Sequence, residues 1–179
     1  ELQVTATPVR CNGGSDGDIK ITKPADPAGY TFSILPTSGT FSFPTFSGLP
    51  ANANYIVTAI QTSSGCSASK TVSITQPDPL VIQANATNIS CVGKTDGIVN
   101  TTVMGGNSGA RTYAWAHSGT ITTANISDLA PGTYTVTVTD SEGCTATASA
   151  TVSDDAGADF TVAFDPEIAS GSSPNITPG

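Results

Sequence analysis

The chain has 179 residues, enough for one large domain or two small ones, and only 11% of them are charged, whereas soluble domains usually have about 25%. The formal net charge of −8 argues against a nucleic-acid partner, because contacts with phosphates need clustered Lys and Arg. No run of residues approaches the ~18 consecutive apolar positions of a membrane-spanning helix.

Thr and Ser supply most of the polar surface, and this composition predicts strands. The chain has 28 Thr and 20 Ser, and the β-branched Thr suits the half-buried surface of a strand. The 18 Gly and 12 Pro interrupt the chain too often for long helices. Composition therefore predicts an all-β protein.

Short segments with alternating apolar and polar residues predict strands along the whole chain. In 134–140 the apolar residues fall on one face and the threonines on the other, as in a strand packed on one side. A turn-like segment at 140–143 separates it from 144–152, so the two predict a hairpin. Further strands are predicted before the first cysteine of each half and at 19–22, 30–34, 55–61, 97–104, 112–116 and 120–126.

An internal repeat organises these strands. Residues 2–11 superpose on 82–91 at an offset of 80 positions, and the same offset places Leu49 on Leu129. Six or seven short strands in each unit are typical of an immunoglobulin-like sandwich. The repeat therefore predicts two tandem β-sandwich modules, 1–77 and 78–153, joined by a proline-containing linker at 76–79.

The third segment, 154–179, lies outside the repeat and is acidic. It holds five acidic residues and no basic ones, whereas 1–77 holds four of each. Its alternating stretch at 160–164 has three interpretations. It is an acidic linker, the first strand of a following module, or a strand donated to a neighbouring subunit, since an unpaired strand edge invites β-augmentation.

Four cysteines allow three pairings. The repeat favours Cys11–Cys66 with Cys91–Cys144, because this choice gives the same bond within each module. Such bonds would stabilise each module by about 4 kcal/mol in the chain-entropy model and imply an oxidising compartment. The alternative is four reduced, buried cysteines. Because His117 is the single histidine, a zinc site has few ligands available.

At these residues the chain resembles the SprB repeat family of very large surface adhesins of gliding bacteria. The second unit carries the resemblance through a cysteine, an Asp-Gly turn, an aromatic-x-Trp segment, a Tyr-x-Val-x-Val-x-Asp strand and a Gly-Cys pair. The matching residues are Cys91, Asp96, Gly97, Gly105, Gly106, Tyr113, Trp115, Leu129, Gly132, Tyr134, Val136, Val138, Asp140, Gly143, Cys144 and Thr145.

The first unit matches less completely. It keeps the Asp-Gly turn after Cys11 and the Gly-Cys pair that ends at Cys66, but Phe32 and Gln61 stand where the second unit has Trp115 and Asp140. The resemblance covers 1–153. It implies export by the type IX route, a place on the bacterial cell surface and a role in adhesion or gliding motility, with no catalytic residues.

Calcium is one candidate ligand, because hard cations bind several carboxylate and carbonyl oxygens within a turn. Asp16 and Asp18 offer two carboxylates in the first unit, but the second unit has only Asp96, beside Lys94. An Asp-Gly pair is also what a tight turn prefers. A second possible metal site is the acidic group of Asp154, Asp155, Asp159, Asp165 and Glu167, for which a solvated acidic linker is the simpler interpretation.

Aromatic residues are the other candidates for ligand contact. Tyr113 with Trp115, and Tyr30 with Phe32, have the parity of residues that fill a sandwich core, although exposed rings would stack on sugars. A Phe-rich stretch occurs only in the first unit and would form an apolar contact patch if exposed. Its members are Phe41, Phe43 and Phe46.

The sequence thus favours a non-catalytic structural or adhesive repeat region, without a required cofactor. His117 is the candidate general base, and only the second unit has a histidine. The expected partners are neighbouring repeats or subunits and, outside the protein, a surface polysaccharide or substratum. The alternatives are a carbohydrate-binding module that uses the first unit's aromatic residues and a self-assembling subunit of a surface filament.

Overall fold

A computed structural model describes residues 1–154, and every regular element in this part of the chain is a β-strand. The strands are β1 (Gln3–Thr7), β2 (Gly17–Lys23), β3 (Tyr30–Leu35), β4 (Thr40–Ser42), β5 (Thr45–Leu49), β6 (Asn52–Gln61), β7 (Ser67–Ile74), β8 (Val81–Thr87), β9 (Gly97–Met104), β10 (Thr112–Trp115), β11 (Ile126–Leu129), β12 (Gly132–Thr139) and β13 (Thr145–Val152). The all-β prediction is confirmed, and the described residues contain no helix that could cross a membrane.

The strands form four antiparallel sheets, two from each repeat. In the first repeat the orders are β1-β2-β5-β4 and β3-β6-β7, and in the second they are β8-β9-β11 and β10-β12-β13. Lettered A to G, the first repeat has the ABED and CFG sheets of an immunoglobulin constant-type domain. The second repeat has the same order without a counterpart of β4, which is the strand that carries Phe41.

Alternation along the strands builds the core. On β6 the side chains of Tyr55, Val57 and Ala59 are buried, and the side chains between them point outward. On β12 Val136 and Val138 are buried while their threonine neighbours stay partly exposed. Each such aliphatic side chain contributes roughly 1.5–3 kcal/mol when it is fully buried.

The buried residues fall into two separate clusters, one from each repeat. The first cluster is formed by residues between 2 and 74 and the second by residues between 89 and 152. No strand crosses the predicted linker at 76–79. The outward faces carry hydroxyl pairs between neighbouring strands, such as Thr58 with Ser69 and Thr135 with Ser149, both at 2.8 Å. Hydroxyl groups thus cover part of the surface that charged side chains cover in most soluble proteins.

A tyrosine fixes the corner before β6 and before β12. The hydroxyl of Tyr55 donates to the carbonyl of Pro50 at 2.9 Å, and that of Tyr134 donates to the carbonyl of Ala130 at 2.8 Å. A tyrosine that bonds back to the backbone at this corner is a hallmark of immunoglobulin-like sandwiches. Burial also raises the pKa of Tyr55.

One predicted strand is wrong. Residues 120–126 form a loop, and β11 begins only at Ile126. The loop covers the indole ring of Trp115, whose Nε1 donates to the carbonyl of Thr123 at 3.0 Å. A strand in this position would present alternate side chains to the core, whereas the loop presents a backbone acceptor to the only tryptophan. The predicted hairpin at 134–152 is confirmed as β12 and β13.

Candidate functional site

The disulfide in the structure joins the two repeats. Cys11 is bonded to Cys144, with their Cα atoms 5.6 Å apart, and Cys66 and Cys91 are free and exposed. The predicted pairs Cys11–Cys66 and Cys91–Cys144 are therefore wrong in this structure, and the sequence-based expectation of one disulfide within each module is corrected.

The physical reason is that the two cysteines of a repeat lie at opposite ends of its last strand. Cys66 directly precedes β7, whereas Cys11 follows β1 at a point where the amide of Val9 donates to the carbonyl of Thr75, past the end of β7. A strand of 8 residues spans about 27 Å, far beyond the ~7 Å limit for Cα atoms joined by a disulfide.

The second repeat has the same arrangement. Cys144 directly precedes β13, and the amide of Ile89, close to Cys91, donates to the carbonyl of Ser153 at the end of β13. Each repeat thus has one cysteine at its entry end, where the chain enters the repeat, and one at its exit end, where the chain leaves it. Cys66 and Cys144 lie at the entry ends, and Cys11 and Cys91 lie at the exit ends. The observed bond joins the exit end of the first repeat to the entry end of the second.

The linker between the repeats is held from both sides. The Nδ2 of Asn12 donates to the carbonyl of Pro77 at 3.0 Å, and the amide of Gly13 donates to Oε1 of Gln76 at 2.9 Å. From the second repeat, the amide of Gly106 donates to the carbonyl of Asp78 at 3.0 Å. These bonds hold the linker beside the disulfide. The linker and the disulfide together form the junction between the repeats.

Asn107 and Asp140 form the polar centre of this junction. The Nδ2 of Asn107 donates to the carbonyl of Arg10 in the first repeat at 2.8 Å and to the carboxylate of Asp140 at 3.0 Å. The amide of Cys144 donates to the same carboxylate at 2.9 Å. The bonded cysteine and its neighbouring loop are therefore held by one side chain.

Asp140 is the single buried charged residue among residues 1–154. Its carboxylate also accepts from the amides of Asn107 at 2.8 Å and Glu142 at 3.0 Å. The hydrogen bond from the backbone amide of Asn107 makes the largest contribution to lowering the pKa of Asp140, whereas burial of the carboxylate acts to raise that pKa. Among residues 1–154 no cation pairs with this carboxylate, and hydrogen bonds alone stabilise it.

The carboxylate of Asp16 is occupied by a neighbour rather than open to a cation. It accepts from the amide of Arg10 at 3.1 Å and from Nε of Arg10 at 2.6 Å, and this side chain bonding lowers the pKa of Asp16. Asp18 lies on the following strand, β2. Residues 1–154 contain no group of three His, Cys, Asp or Glu side chains placed to hold a metal ion.

The acidic group at the C-terminal end is only partly described. Asp154 is exposed and forms an isolated parallel bridge with Ile89. Asp155, Asp159, Asp165 and Glu167 lie outside the described residues, as does the alternating stretch at 160–164.

The aromatic residues of the first repeat close one open edge of the sandwich. Phe41 on β4 stacks on Phe46, with ring centroids 4.2 Å apart, and lies 5.9 Å from Phe32 on the opposite sheet. Phe46 is buried and Phe43 is packed against the core. Of the Phe-rich stretch, only Phe41 is substantially exposed, at 41%, so the stretch does not form the continuous apolar patch that the sequence raised.

The remaining candidates are placed in or beside the core of the second repeat. Trp115 is buried and Tyr113 packs against the same cluster, which confirms the core interpretation for this pair. In the first repeat Phe32 packs against the core, but Tyr30 is exposed, so the core interpretation is wrong for Tyr30. His117 is exposed, and its ring centroid lies 4.8 Å from that of Tyr134, with the two ring planes nearly perpendicular. It is placed for packing against an aromatic side chain.

Sequence reasoning did not identify Asn107 as a junction residue. Asn107 stands in a Gly-Gly-Asn segment that carries a turn signal and no signal for a contact with the other repeat. The guanidinium of Arg111 donates to the carbonyls of Val103 at 3.2 Å and Gly105 at 2.9 Å, which holds this segment in place.

Among known proteins, no family model matches the chain, and no curated protein matches it. Similar solved structures include a C-terminal intimin fragment in complex with the intimin-binding domain of its translocated receptor, at 16% identity and a TM-score of 0.34. The match covers 86% of this chain, and the chain spans 64% of the fragment's length.

Two further similar structures are an amphioxus IgVJ-C2 molecule and a Dscam isoform structure. The first has 15% identity and a TM-score of 0.34 over 81% of this chain and 99% of its own. The second has 10% identity and a TM-score of 0.33 over 86% of this chain and 46% of its own. At these scores the likenesses carry no argument about function, and the immunoglobulin-like fold rests on the strand order described above.

Proposed function

We propose that this chain is a non-catalytic, load-bearing segment of an extracellular surface protein, built from two tandem immunoglobulin-like modules that a disulfide staples end to end. The observation that carries the proposal is the bond between Cys11 and Cys144. It spans the junction that would otherwise depend on a short linker and a few hydrogen bonds. Disulfides persist in oxidising compartments, which supports an extracellular location.

The bond gives tension a path that bypasses most of the chain. A force applied at the two ends enters near residue 1, crosses from Cys11 to Cys144 and leaves toward residue 179. The 133-residue separation between the two cysteines is then shielded from extension. A segment built in this way keeps its length under load, as the stalk of an adhesin requires.

The resemblance to SprB repeats supports the finer part of the proposal. It implies a chain on the surface of a gliding bacterium, exported by the type IX route and acting in adhesion or motility. The repeated features of this resemblance build the strands, turns and cysteines of the fold. The chain therefore acts as a spacer between a binding tip and the cell, with neighbouring repeats or subunits as its partners.

Single-molecule stretching of the full chain tests the load-bearing role. When held by its two ends, the oxidised chain should unfold to a length about 450 Å shorter than the reduced chain, because 133 residues at about 3.4 Å each stay unextended. The double variant C11S/C144S should behave like the reduced chain. The control C66S/C91S, which keeps the junction bond, should retain the short extension.

Equal extensions of oxidised and reduced chain would contradict the load-bearing proposal. If the unaltered chain is shortened on oxidation but C66S/C91S is not, the shortening bond involves Cys66 or Cys91 rather than Cys11–Cys144.

A carbohydrate-binding function is the second candidate, favoured by the aromatic edge of the first repeat. Tyr30 is 36% exposed and Phe41 is 41% exposed, and Phe32 lies between them, with centroid distances of 6.2 and 5.9 Å. Adjacent exposed rings of this kind offer sugar a stacking surface. The rest of the Phe-rich stretch is taken up by the core, so the surface is small.

Titration with surface polysaccharides, followed by tyrosine fluorescence and a glycan array, tests this second function. Binding that is lost in Y30A/F41A and kept in the matched control I56A/I60A would support it. Absence of binding in the unaltered chain would remove it and leave the load-bearing role untouched.

A further inference from the structure

We propose that Cys91 and Cys66 continue the linkage seen inside the chain, so that Cys91 of one copy forms a disulfide with Cys66 of a second copy. Both thiols are exposed. The proposal rests on the proposed function, because it extends the stapled pair of repeats into a longer stack. Its basis is that each free cysteine occupies the same place in the fold as one member of the bonded pair.

The loop that holds Cys91 repeats the loop that holds Cys11. The amide of Gly14 donates to the carbonyl of Cys11 at 2.9 Å, and the amide of Lys94, at the corresponding position, donates to the carbonyl of Cys91 at 3.1 Å. Both cysteines therefore sit at the start of the same kind of turn, at the exit end of their repeat.

The residues beside these loops are also held alike. The carboxylate of Asp16 accepts from the amide and side chain of Arg10, and the carboxylate of Asp96 accepts from the amide and side chain of Ser90, with amide distances of 3.1 and 3.0 Å. The exit end of the second repeat thus presents its cysteine as the exit end of the first repeat does.

The entry ends correspond in the same way. The amide of Gln61 donates to the carbonyl of Cys66 at 2.9 Å, and the amide of Asp140 donates to the carbonyl of Cys144 at 2.9 Å. Each cysteine follows a glycine with a positive φ, 71° at Gly65 and 85° at Gly143. Such a turn favours glycine, and it directs both cysteines to the entry end of a repeat.

Cys66 and Cys91 of one copy lie too far apart to bond to each other. Within one chain Cys66 lies at the entry end of the first repeat and Cys91 at the exit end of the second. The last strands of both repeats lie between them, and each of these strands has 8 residues and spans about 27 Å. A bond within one chain is excluded by this distance, whereas a head-to-tail contact between copies reproduces the observed junction.

One pair of opposite charges at the free ends repeats the pair at the existing bond. Beside the existing bond, Arg10 from the exit end and Glu142 from the entry end line one cleft. At the free ends Lys94 lies in the Cys91 turn, and Glu1 lines a cavity of about 180 Å³ with Cys66. A lysine of one copy would therefore meet a glutamate of the next.

The bond forms by thiol–disulfide exchange with a small disulfide such as oxidised glutathione. The thiolate of one cysteine attacks this disulfide, which releases one thiol and leaves a mixed disulfide. The thiolate of the second cysteine then displaces the remaining glutathione as a thiol. Two protein thiols thus give one disulfide, and two electrons and two protons pass to the oxidant.

The test is oxidation of the purified full chain in a glutathione redox buffer, followed by non-reducing electrophoresis and peptide mass spectrometry. The unaltered chain should form a ladder of multimers whose linking peptides join Cys66 to Cys91. C66S and C91S should each fail to form the ladder, whereas an equimolar mixture of the two should form a dimer through the one complementary pair. That mixed dimer should exceed either like-with-like dimer about tenfold, because the docked ends raise the effective concentration of the thiols.

A displaced thiol provides the control. The variant C66S/S33C moves the exposed cysteine to the middle of β3, away from both ends, and should form few links to Cys91. Ladder formation in this variant equal to the unaltered chain, or equal amounts of Cys66–Cys66, Cys91–Cys91 and Cys66–Cys91 bonds, would overturn the proposal. A monomer that keeps Cys11–Cys144 and its short extension would overturn this inference while leaving the load-bearing proposal standing.

Discussion

Asp140 is the residue on which the junction depends most at the scale of single side chains. Four hydrogen bonds from Asn107, Glu142 and Cys144 end on its buried carboxylate. The sequence marks this position only as the polar end of an alternating strand. It gives no sign that the carboxylate reaches a loop 33 residues earlier, because hydrogen bonds between distant loops leave no periodic pattern.

Removing this carboxylate should destabilise the second repeat. Asp140→Ala leaves several buried donors without an acceptor, and we expect the free energy of unfolding to fall by about 2–4 kcal/mol. Urea unfolding followed by the fluorescence of Trp115, the only tryptophan, reports on this repeat alone. The control Glu142→Ala removes an exposed carboxylate from the same turn and should cost under about 0.5 kcal/mol. Equal losses in the two variants would contradict the role of Asp140.

The same carboxylate predicts a dependence on pH. Because the pKa of Asp140 is lowered from 3.8 in the folded chain, its contribution to stability is complete above that ordinary value and is lost as the pH falls through the lowered one. We expect the Trp115 unfolding midpoint to be level near neutral pH and to drop below about pH 4. Asp140→Asn should flatten this drop; an unchanged drop in that variant would assign it to other carboxylates.

At the scale of elements, strand β4 distinguishes the two repeats. The repeat analysis correctly predicts that the Phe-rich stretch is special to the first unit, but not that Phe46 is buried and Phe43 packed against the core. Composition shows a Phe-rich insertion, whereas only the pairing of β4 with β5 decides which rings point inward. Residues 120–126 are a second example in which the pattern alone does not decide the structure. Their alternation predicts a strand, but they form the loop that covers Trp115.

Phe41 should stabilise the first repeat through its contacts with Phe46 and Phe32. Phe41→Ser should lower the free energy of unfolding of this repeat by about 1–2 kcal/mol, since it removes the stacked ring contacts and part of a buried apolar area. Circular dichroism should show the change, with the Trp115 transition unmoved. Ile56→Ser is the matched control, because Ile56 is 40% exposed and lies outside the aromatic contacts; an equal loss there would show that the stacking adds nothing.

At the scale of the whole molecule, the repeat predicts an all-β chain with equivalent strands in its two halves, but it predicts the wrong disulfides. Duplication requires that equivalent cysteines behave alike, and two bonds within modules satisfy this requirement. A head-to-tail series satisfies it equally, with one bond inside the chain and one free cysteine at each end. Only the positions of Cys11 and Cys66 at opposite ends of β7 separate the two schemes, and strand topology is not visible in cysteine spacing.

Peptide mapping of the oxidised, unreduced chain tests the stapled junction most directly. Trypsin cuts after Lys and Arg, and it places the four cysteines in four different peptides: Cys11 in 11–20, Cys66 in the peptide ending at Lys70, Cys91 in 71–94 and Cys144 in the peptide beginning at residue 112. The structure predicts a linked pair of the first and last of these peptides, carrying the Cys11–Cys144 bond. Linked pairs that carry Cys11–Cys66 and Cys91–Cys144 instead would contradict it.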